Sequence, residues 1–143
     1  VPIIIDANRA NDFTSPPTKR APSIIECVTK RGIKIAIGGL LKRELSRTCL
    51  WRLIVEWSRS GFVVYVDDHL VEELNCSMRG RILSDDGHVI SLAKLTRAKI
   101  IYSDDVLLIK DFRNRSVMGY RGRVLTSRTP EDDAVSVLRN HGG

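Results

Sequence analysis

Apolar residues along this chain fall into short continuous runs that alternate with stretches of helical spacing. Val1 to Ile5 is continuous rather than alternating, as a strand buried on both faces requires, and Asp6-Ala7-Asn8 closes it. Ser15-Pro16-Pro17-Thr18 reads as a loop, and Pro22 to Lys30 has helical spacing in Ile24, Ile25 and Val28, stopping at Gly32. Ile33 to Ile37 predicts a second strand, punctuated by Gly38-Gly39. Leu40, Leu41, Glu44 and Leu45 then lie on a helix, and a further helix runs from Leu50 to Arg59 before Gly61.

Phe62 to Val66 predicts the third strand, and a helix from about Asp68 to Arg79 should carry Leu70, Val71 and Leu74 inward. Ser84-Asp85-Asp86-Gly87 opens the next helix, which runs through Ala98 with Ser84 or Asp85 as its N-cap. Lys99 to Tyr102 is a fourth strand, Ser103 to Phe112 a helical segment, and Val124-Leu125 a short fifth strand. Residues 114–143 are rich in Arg and Gly and read as a basic C-terminal extension, with one late helix beginning near Pro130.

Strands alternating with helices mean an α/β fold: a central parallel sheet with helices on both faces, which is a three-layer α/β/α sandwich. No internal repeat is present. The 143 residues, 43% of them apolar, suit one domain with a core large enough to need no staple. No run approaches the roughly 18 apolar residues of a membrane span, and the first residues lack the basic region and cleavage site of a signal peptide. Cys27, Cys49 and Cys76 are odd in number and form no Cys-x-x-Cys pair, which disfavours a disulfide framework or a zinc site and fits a cytoplasmic location. The formal charge of +6 makes an anionic partner plausible, although lysine and arginine also serve solubility.

The chemistry lies in four carboxylates at the edges of apolar segments. Asp6 and Asp105 follow strands. Asp86 stands in a first helical turn, where the helix dipole favours its ionised form, with Ile90 and Ala93 on the face below it. Glu44 follows Leu40 by four residues, at the margin of an apolar stripe, and its longer arm can reach a shared site. In an open parallel sheet ligands bind at the carboxyl ends of the strands. Carboxylates gathered there raise one another's pKa values unless a cation intervenes, so their convergence implies a divalent ion. Oxygen ligands without clustered His or Cys suit Mg²⁺ or Mn²⁺, and such ions favour phosphodiester hydrolysis. Asn8 and Ser103 are small, neutral neighbours able to orient the acids.

These residues, in this order, resemble the PIN-domain ribonucleases over roughly residues 3 to 112. The resemblance rests on Asp6-Ala7-Asn8 after the first strand, Glu44 in the helix after the second, Asp86 to Ala93, and Ile100 to Asp105. It implies a PIN-like sheet of about five parallel strands and a metal-dependent endoribonuclease that leaves a 3′-hydroxyl and a 5′-phosphate. Asp6, Glu44, Asp86 and Asp105 would be both catalytic residues and ligands of Mg²⁺ or Mn²⁺, and Ser103 the family's hydroxyl. Many relatives are toxins of toxin-antitoxin pairs, held by an antitoxin protein and often dimeric. Arg9-Ala10 departs from the family's apolar continuation, and the arginine-rich segment after Asn114 has no counterpart in it.

Several neighbours admit two readings. Asp85 and Asp104 could replace Asp86 and Asp105 by a shift of one residue, although register favours the latter pair. Asp111 reads as a surface acid at a helix end, His88 as a packing or capping residue before a donor to phosphate, and Trp51 and Trp57 as partly buried. Arg9, Lys42 and Arg43 flank the acids and could hold substrate phosphates, as could Arg113, Arg115, Arg121 and Arg123 farther on, unless these meet an acidic antitoxin. The competing function is a non-catalytic RNA-binding or scaffold domain of the same fold. A phosphatase or phospho-acceptor is disfavoured by Asn8, where a second acid would be expected.

Overall fold

The computed structural model describes residues 2–141; Val1, Gly142 and Gly143, at the ends of the predicted first strand and basic tail, lie outside the described residues. Five strands form one all-parallel sheet in the order β3-β2-β1-β4-β5, with β1 Ile3–Ile5, β2 Ile35–Gly38, β3 Val63–Val66, β4 Ile100–Tyr102 and β5 Arg123–Leu125. Helices flank the sheet, so the three-layer α/β/α architecture is the one the alternating pattern requires. The three inner strands are buried throughout, whereas the edge strands β3 and β5 are partly exposed, which explains why the apolar runs of β1, β2 and β4 are continuous.

Chain order reverses at β1, whose neighbours are β2 and β4. Ligands of open parallel sheets occupy the crevice at such a switch point. After β1 the chain enters a 3₁₀ turn, Ala7–Phe13, and then α1, Ala21–Arg31, which ends at Gly32 in the left-handed conformation. β2 leads into α2, Gly39–Leu45, without a connecting loop. This abrupt turn needs Gly39, whose φ is +58°; its N–H donates to Asp68 Oδ1 at 2.8 Å, and a Cβ there would strike Val71.

Beyond α3, Leu50–Arg59, and β3 come α4, Asp68–Ser77, and α5, Gly87–Thr96. Three sequence expectations change here. Leu70 is half-exposed rather than inward, because Val71 alone of this helix is fully buried. The N-cap position of α5 is held by Asp86, not Ser84 or Asp85, without a capping hydrogen bond from its side chain, and the Ser84 hydroxyl accepts from the N–H of Asp86. The helix also stops at Thr96, where Arg97 turns left-handed.

α6, Val106–Arg113, is followed by the short α7, Arg115–Met118, by β5 and by α8, Glu131–His141. The segment after Asn114 is thus built into the domain. β5 pairs with β4 over Ile100 to Tyr102, while α8 buries Ala134 and Leu138 and receives hydrogen bonds from the Arg31 guanidinium at its last carbonyls. Among the described residues no helix is long and apolar enough to cross a membrane.

Candidate functional site

The parallel ladder carries two residues past the strand ends into one place. The N–H of Asp6 donates to the Tyr102 carbonyl at 3.0 Å, and the N–H of Ser103 donates to that of Leu125 at the same distance. Asp6 and Ser103 therefore leave the sheet side by side. The Ser103 hydroxyl donates to Asp6 Oδ2 at 2.6 Å and accepts the Asp105 N–H at 3.1 Å. Ser103 is fully buried and Asp6 nearly so, hence the pair is a fixed base for whatever binds above it.

Asp105 is the N-cap of α6, where its Oδ1 accepts from the N–H groups of Leu107 and Leu108. Its carboxylate also acts on Asp86, raising the pKa of that acid. Asp86 is placed from below by a relay that begins at Asp111. That carboxylate, only 1% exposed, accepts from the N–H of Leu83 at 2.9 Å and of Ser84 at 2.8 Å, and the Ser84 hydroxyl in turn accepts from Asp86 N–H at 2.8 Å. Asp111 is thus neither a surface acid nor a ligand. A buried amide needs an acceptor, and a helix-end aspartate is short enough to serve two at once. α6 consequently holds Asp105 at one end and steers Asp86 from the other. Gly87 lets this segment approach α4 closely, since a Cβ there would overlap the Asn75 amide.

Glu44 comes from the last turn of α2 and meets His88, in the first turn of α5, through Oε1 and Nε2 at 3.0 Å. The carboxylate can only accept, which puts the imidazole proton on Nε2. His88 is 4% exposed, so its burial agrees with a packing role, but its partner is one of the four acids. Ligand atoms of Glu44, Asp86 and His88 lie within 4.8 Å of one another. That grouping omits Asp6 and Asp105, yet both are close enough to act on Asp86, and the electrostatics therefore describe a wider cluster than atomic proximity alone.

The charges make the crowding explicit. Burial pushes the pKa of Asp86 up to about 7, helped by the hydrogen bond with Asp105 and the negative fields of Asp6, Asp105 and Glu44. Burial also raises Asp6; hydrogen bonds from Ser103 and the Ala7 N–H oppose the rise, and Asp105 and Glu44 add to it. Asp6 follows β1 and Asp105 follows β4, Glu44 comes from the end of α2 and Asp86 from the α4–α5 connection; of the four, Glu44 and Asp86 come within 4.8 Å of each other, and Asp6 and Asp105 act on Asp86 through their charge. Among the described residues, the group whose ligand atoms could meet one cation is two carboxylates and an imidazole, rather than the oxygen-only set expected from the sequence.

Other predicted positions lie elsewhere. Asp85 is exposed and has no partner in the cluster. Asp104 turns away, accepting from Ser127 N–H at 2.8 Å and Ser127 Oγ at 2.7 Å, and pairs with Arg9 at 3.1 Å. Its burial raises the pKa, but Ser127, Arg9 and Arg128 outweigh this and the net shift is downward. Arg9 also bridges to Asp12 at 3.3 Å and is thereby committed to holding the first turn against Asp104. Asn8 is exposed and accepts weakly from Asp104 N–H at 3.5 Å, so it orients that residue rather than the acids. Lys42 lies over the Tyr65 ring, 5.6 Å from its centroid, and Arg43 pairs loosely with Asp68 at 3.8 Å; both are exposed near Glu44. Trp57 is buried and Trp51 half-buried against the core.

Sequence reading missed two contributions, the Asp111 relay and the partnership of His88 with Glu44. The signal for His88 was the apolar surround of Val89, Ile90 and Leu92, which makes a histidine in that turn a buried group in need of a partner. Comparison with protein-family models, with curated proteins and with solved structures produced no match.

Proposed function

We propose that this protein is a metal-dependent endoribonuclease of the PIN-like type, with Asp6, Glu44, Asp86 and Asp105 as ligands of Mg²⁺ or Mn²⁺. The observation that carries the reading is the approach of Glu44, Asp86 and His88 to within 4.8 Å of one another, with burial first and the negative fields of Asp6, Asp105 and Glu44 after it pushing the pKa of Asp86 up to about 7. An anionic cluster of this kind costs stability unless it binds cations. When bound, the ion supplies an activated water and neutralises charge on the departing oxygen of a phosphodiester.

The chain's own residues would divide the remaining work. Ser103 holds Asp6 and Asp105 in fixed orientation, and His88 restrains Glu44. Asp86, poised near neutrality, would release its proton as the cation enters, so cation affinity falls with acidity below about pH 7. Lys42 and Arg43 stand beside Glu44 with exposed head groups suited to substrate phosphates. The toxin role, with an antitoxin protein and a homodimeric form, extends the proposal through the family resemblance alone.

The test is cleavage of single-stranded RNA with Mn²⁺, and separately with chelator, for the parent and for Asp6→Asn and Asp105→Asn. Metal-dependent products bearing 5′-phosphates, lost in both variants, are expected. Undiminished cleavage in both variants, or tight RNA binding by the parent with no metal-dependent product, would overturn the proposal.

A further inference from the structure

A second feature is positive and lies at the opposite end of the sheet. Arg113, Arg121 and Arg123 converge on a groove of about 440 Å³ whose floor is Gly122, Val124 and Val137. It opens at β5, an edge strand, on the side where that strand begins; the carboxylates stand where β1 and β4 end. Among the described residues, none of the three guanidinium groups makes a salt bridge or a side-chain hydrogen bond. No carboxylate lines the groove. The acids of α8, Glu131, Asp132 and Asp133, occupy its first turn, toward the other end of β5.

Three uncompensated cations held together repel one another, and a solvated surface normally interleaves them with acids. Here two come from the approach to one short strand and the third from the end of α6. The same helix connects this groove to the acidic cluster, because Asp105 caps its start and Arg113 is its final residue. Eight residues of α-helix span about 12 Å. Along that distance Leu107 and Lys110 are exposed, whereas the helix's one acid, Asp111, is buried and occupied by backbone amides. At about 3.4 Å per stacked nucleotide, some four nucleotides cover the path.

We infer that the Arg113, Arg121 and Arg123 groove binds the phosphodiester backbone of a single-stranded nucleic acid whose neighbouring nucleotides run along α6 to the carboxylates. Guanidinium groups suit this role through their planar, bidentate match to phosphate oxygens. The groove offers no aromatic surface for base stacking, so it holds the strand without reading sequence. An acidic peptide would satisfy the same charge but not a path leading toward four carboxylates. The choice of RNA as the polymer rests on the proposed ribonuclease reading; the groove's affinity for phosphodiester does not.

The experiment measures binding of labelled single-stranded RNAs of 4 and 16 nucleotides in chelator, so that cleavage is irrelevant, across a series of salt concentrations. The variants are Arg113→Ala/Arg121→Ala/Arg123→Ala and the corresponding triple lysine change, with thermal melts to establish folding. For single strands the slope of log affinity against log salt is about 0.7 per neutralised phosphate. The alanine variant should lose about 2 from that slope and at least about tenfold in affinity for the longer RNA. The lysine variant should keep the slope and lose part of the affinity. Inorganic phosphate should compete only weakly, in keeping with a polymer site. An unchanged slope and affinity in the folded alanine variant would overturn the inference. So would polyglutamate binding as tightly as RNA, which would assign the groove to an acidic protein; if the alanine variant fails to fold, an unchanged affinity in the lysine variant would do the same. None of these outcomes bears on the carboxylate chemistry.

Discussion

His88 Nε2 donates to Glu44 Oε1 across 3.0 Å, joining the first turn of α5 to the last turn of α2. One partner is almost fully buried and the other half-exposed, so the imidazole acts as a rigid peg for a flexible arm. Partners that orient metal ligands are typically worth ten- to hundredfold in affinity or activity. His88→Ala should therefore weaken Mn²⁺ binding by about tenfold or more, and His88→Gln, which restores a donor, should recover part of that loss. Calorimetric titration of both variants decides the matter; equal affinity in parent and alanine variant would show that Glu44 needs no support.

Ser103 serves two masters, and its removal should show in two measurements. Without its hydroxyl, Asp6 loses a 2.6 Å donor and the Asp105 N–H loses its acceptor. Ser103→Ala should lower stability by about 1–3 kcal/mol, the usual cost of an unsatisfied buried group, and weaken Mn²⁺ binding as well. Denaturant unfolding and metal titration on the same sample test both expectations.

Asp111 is the strongest structural prediction. Its carboxylate satisfies the Leu83 and Ser84 amides, and through Ser84 it sets Asp86. Asp111→Ala should cost about 1–3 kcal/mol, because the Ser84 amide is left unpartnered in a buried setting and the Leu83 amide in a half-buried one. Cleavage should fall too, although the residue stands away from the acids. A variant as stable as the parent would show that the Leu83 to Asp86 segment is held by other means.

The metal-free protein should grow more stable on mild acidification. Both Asp6 and Asp86 have folded-state pKa values raised above the unfolded 3.8, Asp86 to about 7, so the folded protein binds more protons between about pH 4 and 7. Their relative contribution is fully present below the unfolded value and is lost as pH rises through the folded one. Asp86 is half-exposed and screened by solvent, which limits its share to on the order of 1–2 kcal/mol. Chelated samples unfolded at pH 5.5 and 8 should differ in this direction, with Asp86→Asn reducing the difference. Saturating Mn²⁺ should stabilise the protein most at the higher pH, where the acids are ionised.

What the sequence determined by itself was periodicity and order. Continuous apolar runs such as Ile3 to Ile5 and Ile100 to Tyr102 could only be strands covered on both faces, which sets a parallel sheet; the order of Asp6, Glu44, Asp86 and Asp105 along it placed each acid at a strand or helix edge. Local pattern suffices there because burial of a whole strand constrains every residue in it. The tertiary structure decided the contacts made by single polar atoms. Asp104 and Asp105 are adjacent, yet one binds Ser127 and the other caps α6; Asp111 resembles a surface acid until Leu83 and Ser84 are seen donating to it across 28 and 27 residues of chain. His88 acquires its part in the site only because α2 and α5 pack with Glu44 opposite it. A hydrogen bond spans about 3 Å and depends on direction, and no spacing in a linear chain records which distant partner will arrive within that reach.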